Sequence, residues 1–158
     1  MEDFAVSGPT LTLRLPTLTD APALYRLGSD PEVTRFFSWG PYECEEEAVA
    51  YLERLPAQRE LGEHLDFVVE RRDLGPIGIT GVSEISRRDR RGMVGTWFGR
   101  RWWGTGANKE SKALVALKFH GGLTNGELAR VLVTSESNVG TRLHRAVTKL
   151  REACHVDA

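Results

Sequence analysis

Cysteine is scarce in this chain: Cys44 and Cys154 are its two copies in 158 residues, and they stand far apart without metal-ligand spacing. A disulfide framework or a structural zinc site is therefore not expected, and no metal is assigned. An excess of charge is missing too, since 21 basic and 22 acidic side chains leave a formal net charge of -1. Such a balance argues against a protein that works by general attraction to nucleic acid or to an anionic membrane. No apolar run approaches the length of a membrane span, and the acidic opening Met1-Glu2-Asp3 is no signal peptide. The cytoplasm is the expected location. A chain of this length has room for one domain, or for one small domain with an appendage.

Against these absences stands the stretch Trp102 to Glu110, W-W-G-T-G-A-N-K-E. Two glycines one residue apart, after an aromatic strand and before a helix, make a turn whose backbone N–H groups can hold a pyrophosphate. Upstream, Met93-Val94-Gly95-Thr96-Trp97-Phe98 is a short apolar and β-branched run; downstream, Ala113, Leu114, Ala116, Leu117 and Phe119 recur at helical spacing. The unit reads strand, glycine loop, helix. A bare G-x-G usually marks only a tight turn.

The same residues carry a family resemblance. Arg101, Gly104, Gly106 and Ala107 meet the pattern R/Q-x-x-G-x-G/A, and the stretch resembles the acyl-CoA-binding motif of the GNAT N-acetyltransferases. In particular, Gly95-Thr96-Trp97-Phe98 followed by Trp103 to Glu110 is similar to the branch that acetylates N-termini of ribosomal proteins and small amines. Leu11 to Pro16 with Thr19-Asp20-Ala21 resembles that family's entry into its first strand and helix, so the resemblance covers residues 8 to 121. It implies an α/β fold with a GNAT-like mixed, mostly antiparallel sheet and flanking helices. It implies acetyl-CoA as co-substrate and transfer of its acetyl group to a primary amine, either a protein N-terminus or a small amine. Arg101, Trp102, Gly104, Thr105, Gly106, Ala107 and Asn108 would then bind pyrophosphate, while Val94, Gly95, Thr96 and Trp97 hold pantetheine and polarise the thioester through their backbone. Dimerisation is common in the family, and an incomplete sheet edge would favour it.

Other segments follow in a consistent order. Thr10 to Leu15 alternates as a half-buried strand, and Asp20 is placed to cap a helix through Ala23, Leu24, Tyr25 and Leu27 that ends at Gly28-Ser29-Asp30-Pro31. Val33, Phe36, Phe37 and Trp39 form an apolar cluster read as core, although in the family this region lies beside the acceptor opening. Glu43 to Arg59 is an amphipathic helix with Ala48, Tyr51, Leu52 and Leu55 on one side. Leu65–Glu70 and Pro76–Ile85 are strands joined by a charged turn, and together with the Val94 strand they make an antiparallel meander. The arginines of Ser86 to Gly92 read as a solvated hairpin tip, with a phosphate or acidic substrate as the alternative.

Amide formation of this kind requires orientation of two substrates and removal of a proton from the amine. Glu84, late in the strand before the glycine-loop strand, is the expected base. The family often has a glutamate at the position of Met93, and none of Tyr25, Tyr42 and Tyr51 matches its usual proton donor to the leaving thiolate. His64 and His120 show no partner in sequence, and His144 and His155 read as surface residues.

The tail divides the reading, with residues 1–121 as the acyl-CoA-binding domain and 122–158 as a short helical tail. A GNAT fold would continue with a strand, a helix and a hairpin, for which too few residues remain, so the sheet is expected to be incomplete at the C-terminus. Leu123 to Ala153 instead resembles the promoter-reading helix-turn-helix of sigma factors, with Thr124 and Ser135 as caps and Arg142, Arg145 and Lys149 as a basic stripe. Val133 stands where that motif commonly has glycine. The rival is a strand, Arg130 to Thr134, and a helix, Asn138 to Arg151, in which Asn138 with Thr141 contacts CoA. A DNA-binding or regulatory protein with a vestigial acyltransferase domain is the alternative function.

Overall fold

Alternation decides the centre of the molecule. In His64–Arg71 (β3), Phe67 and Val69 face one side and Val68 the other, and all three are buried, so this strand is covered on both faces. The computed structural model describes residues 5–86 and 91–119 and places β3 in the middle of a five-stranded sheet. Its spatial order is the chain order: β1 (Ala5–Ser7), β2 (Leu11–Arg14), β3, β4 (Gly75–Ser86) and β5 (Arg91–Phe98), with each neighbouring pair antiparallel. The meander read from the sequence is present, and β1, which sequence reading did not find, is added as an outer strand on Leu13 and Arg14. Three helices, α1 (Ala21–Gly28), α2 (Pro31–Thr34) and α3 (Glu45–Glu60), lie between β2 and β3, and α4 (Ala107–Phe119) follows β5. None of the described helices is long and apolar enough to cross a membrane.

The sheet separates two cores. Val6, Leu11, Leu13, Phe67, Val69, Ile77 and Phe98 pack with Leu114 and Val115 of α4, while Val68 and Ile79 pack with Leu24 of α1 and Ala48, Leu52 and Leu55 of α3. Glu110 ties α4 to the β1–β2 turn: its carboxylate accepts from the Thr10 N–H at 2.9 Å, the Thr10 hydroxyl at 2.6 Å and the Leu11 N–H at 3.0 Å. The charged tip at residues 87–90 and the whole segment 120–158, with the expected helix-turn-helix and its strand–helix rival, lie outside the described residues.

Asp20 corrects one expectation. It stands at the N-terminus of α1 but makes no side-chain cap there. Its buried carboxylate instead accepts two hydrogen bonds from the Arg14 guanidinium, at 2.6 and 2.9 Å, and one from the Thr17 N–H at 2.8 Å. Arg14 also donates to Glu70 at 2.6 Å, so one guanidinium joins β2, β3 and the entry to α1. Burial opposes ionisation of Asp20, yet the hydrogen bonds from Arg14 and Thr17 outweigh it and hold the carboxyl below its ordinary range. The stabilisation is therefore complete above the unfolded carboxylate value near ~4 and is lost as pH falls through the lower folded value. Asp20→Asn should destabilise the fold by about 2–3 kcal/mol at pH 7, and the gap to the wild type should narrow below about pH 4. Urea unfolding at the two pH values measures it.

Candidate active site

Strand β5 supplies both sides of the site because its residues alternate between the two faces of the sheet. Thr96 points toward α4, where its hydroxyl donates to the Asn108 side-chain oxygen at 2.9 Å. Gly95 and Trp97 line the opposite face with the residues that they pair with, Gly81 and Ile79.

Beyond Phe98 the chain makes one turn of 3₁₀ helix at Arg100–Trp102 and then the glycine loop. Gly104 (φ 72°) and Gly106 (φ 89°) both occupy the left-handed region that side-chain-bearing residues rarely adopt. A Cβ added at either would meet nothing within 4 Å, so the space outside the turn is open. Internal bonds fix the loop: the Thr105 hydroxyl donates to the Trp102 carbonyl at 2.6 Å, and the Trp103 indole N–H donates to the Phe98 carbonyl at 2.9 Å. The loop leads into α4 at the buried Ala107, where first-turn N–H groups have no partner inside the helix and the helix end is positive. Arg100 is anchored on Asp30, which also caps α2 through the Glu32 N–H.

The side chains of Trp102 and Trp97, two of the expected cofactor residues, are engaged elsewhere. The Trp102 ring packs on the core, with the guanidinium carbons of Arg71 and Arg101 each 5.2 Å from its centroid. It supports the loop from beneath. Trp97 lies edge-on to Trp39 at 5.3 Å, so its side chain belongs to a second cleft on the opposite face of the sheet. Val94, Gly95, Arg101, Gly104, Thr105, Gly106 and Asn108 are exposed, and Asn138 lies outside the described residues.

That second cleft, on the α3 face, has a volume of about 560 Å³. One wall is aromatic: Phe37 and Trp39 stack at 5.6 Å, and Trp39 meets Tyr42 at 5.1 Å. The expectation of core holds for the buried Val33 but is corrected for Phe36 and Phe37, which are 89% and 41% exposed; Trp39 is half-buried. The chain leaves α2 at the cleft rim, and there the described residues leave both phenylalanine rings open. The other wall is α3, with Glu47, Ala50, Tyr51 and Arg54, and the floor includes His64, Asp66, Gly81 and Ser83.

Asp66 is the carboxylate of this floor, and sequence reading missed it. The Tyr51 hydroxyl donates to its Oδ2 at 2.6 Å, and His64 Nδ1 lies 3.9 Å from its Oδ1. Glu84 does not line the cleft. It is exposed at an irregularity in the β4–β5 pairing between Ser83 and Ser86, with φ 49°, a conformation unusual for a residue with a side chain.

Burial pushes the Tyr42 phenol up to about 12, and burial with the adjacent Asp66 charge raises Tyr51 further. Both phenols favour the folded state while protonated, an advantage present below the unfolded value near ~10 and lost as pH rises through the folded values. In folded protein at pH 11, Tyr51→Phe should leave the tyrosinate absorbance unchanged, whereas the same substitution should lower it in urea.

A glycine turn with open space outside it at one end of β5, and a separate cleft on that strand's other face, make up the candidate site. The chain belongs to the GNAT family: it matches the acetyltransferase (GNAT) domain over residues 10–142. Among solved structures, a ribosomal-protein-serine acetyltransferase-like protein from Vibrio cholerae is 20% identical, with TM-score 0.66 over 77% of this chain and 69% of that one. The coenzyme A complex of RimL, a ribosomal-protein α-N-acetyltransferase, is 16% identical, with TM-score 0.66 over 74% and 68%. An acetyltransferase-like protein from T. thermophilus is 29% identical, with TM-score 0.62 over 77% and 63%. The chain thus spans 63–69% of the length of these structures. No curated protein matches the sequence. The family match runs past residue 121 across most of the segment that resembles a sigma-factor helix-turn-helix, a resemblance that gains no support from these comparisons.

Proposed function

We propose that the chain transfers an acetyl group from acetyl-CoA to a primary amine seated in the aromatic cleft. One observation carries this reading: β5 faces the cleft through Gly95 and Trp97 and ties through Thr96 to the first turn of α4, so a single strand borders both binding regions. Among the described residues β5 is paired along one edge only, by β4, which leaves backbone groups for an extended pantetheine chain. The open left-handed turn at Gly104 and Gly106 with the start of α4 suits the pyrophosphate.

Acetyl-CoA supplies an activated thioester carbonyl. The acceptor attacks as a neutral amine after its ammonium form has given up a proton; its nitrogen bonds to that carbon and loses a second proton as the carbon–sulfur bond breaks, and the departing thiolate takes up a proton. The protein's part is to align the two and to exclude competing water, with backbone groups of Val94 to Trp97 beside the carbonyl. Glu84, exposed beyond the cleft lining, is poorly placed to receive the amine proton.

Excess acetyl-CoA should raise the thermal-unfolding midpoint by about 5–10 °C at a hundredfold excess over Kd. Gly104→Val, placing a β-branched side chain where φ is 72°, should abolish the rise while the far-ultraviolet circular dichroism stays native. An equal rise in the variant would remove the glycine turn from the binding site.

A further inference from the structure

We propose that Asp66 anchors the ammonium group of the acceptor, so that the cleft selects amines carried as cations on a flat apolar body. The inference rests on the cleft being the acceptor site and names the residue and chemistry by which it would choose.

The geometry of the carboxylate supports this. Its side chain is 15% exposed. Oδ2 is held by the Tyr51 hydroxyl, while Oδ1, at 3.9 Å from His64, is beyond hydrogen-bond reach of that ring and has acceptor capacity left. Oδ1 lies over Gly81, the residue paired with Asp66 on β4: a Cβ there would stand 1.9 Å from it. Next along the same row, Gly81 pairs with Gly95, and a Cβ at Gly95 would meet nothing within 4 Å. The carboxylate therefore faces a row with no side chains that leads to β5.

The aromatic side of the lining fits a cation with a flat body, while Arg54 on the α3 wall brings a positive charge to the opposite side. Phe37, Trp39 and Trp97 offer ring faces and edges on the side opposite α3, where an ammonium between carboxylate and indole gains from both. Glu47, the other carboxylate of the lining, is occupied at the start of α3, where its Oε2 accepts from the Glu43 and Cys44 N–H groups. Asp66 is thus the acidic group turned to the floor.

Binding to the full chain without acetyl-CoA is the direct test, using phenethylamine and its uncharged analogue 2-phenylethanol as probes and tryptophan fluorescence as the readout. Wild-type protein should prefer the amine by about tenfold or more, and Asp66→Asn should reduce the preference to about twofold or less with acetyl-CoA affinity unchanged. Gly81→Ala keeps every charge yet should also erase the preference, because its Cβ displaces Oδ1. Equal binding of the two probes to wild type, no binding of either, or a preference that survives in both folded variants would overturn the assignment. Wild-type protein that discriminates the probes but does not bind acetyl-CoA would leave the anchor standing and remove the acetyl-transfer reading.

Discussion

A pair of glycines beside a carboxylate governs the aromatic cleft of this molecule. Asp66, Gly81 and Gly95 stand in register across β3, β4 and β5, and the carboxylate occupies the volume that any side chain at Gly81 would fill. The neighbouring positions leave no freedom to shift. Thr80, on the opposite face, is fully buried, and Val68 and Ile79 in the next row are locked against α1 and α3. Displacing β4 by one residue would exchange those two faces and send Thr80 into the cleft.

That floor is rigid because the sheet is pinned from both sides. Arg14 joins β2 to Glu70 on β3 and to Asp20 before α1, while Glu110 joins α4 to the β1–β2 turn. The ties to Glu70 and from Glu110 link elements distant in sequence, and each side chain serves several partners rather than a single surface pair. By contrast, the aromatic wall comes from the irregular chain between α2 and α3. It is tethered by the Tyr42 ring, which lies against Gly28, and by the Tyr42 N–H bond to the Gly28 carbonyl at 3.0 Å. A stiff floor with a separately tethered wall lets the wall vary in shape without loss of the floor's register.

Much of the fold was legible in the sequence, and the reasons differ by element. The β3–β5 meander and α3 followed from apolar period and turn residues, and observed bounds lie within about two residues of those read. Glu84 was expected to face the cleft from a bulged part of the strand, yet Gly81 and Ser83 line the cleft, so alternation turns Glu84 to the other face, and the irregularity between Ser83 and Ser86 leaves it exposed. Phe36 and Phe37 were read as core because large aromatics usually are, yet Phe36 is exposed and Phe37 lines the cleft. Asp66 carried one overlooked signal, an acidic residue two places from Val68 on the same strand face, where a buried strand would otherwise place an apolar side chain.

The two halves of the site differ in legibility for a physical reason. Pyrophosphate and pantetheine would be met by backbone groups, and a backbone that must turn left-handed can do so cheaply only with glycine, so Gly104 and Gly106 leave a local mark at fixed spacing. The acceptor would be met by side chains at positions 37, 39, 51, 66 and 97, contributed by one loop, one helix and two strands. No spacing connects them, because only the crossing of α3 over the sheet brings Tyr51 to Asp66 and only the sheet's register brings Trp97 to Trp39. On the proposed reading, a change of acceptor within such a frame would require substitutions scattered along the chain, whereas a loss of acyl-CoA binding would require one glycine.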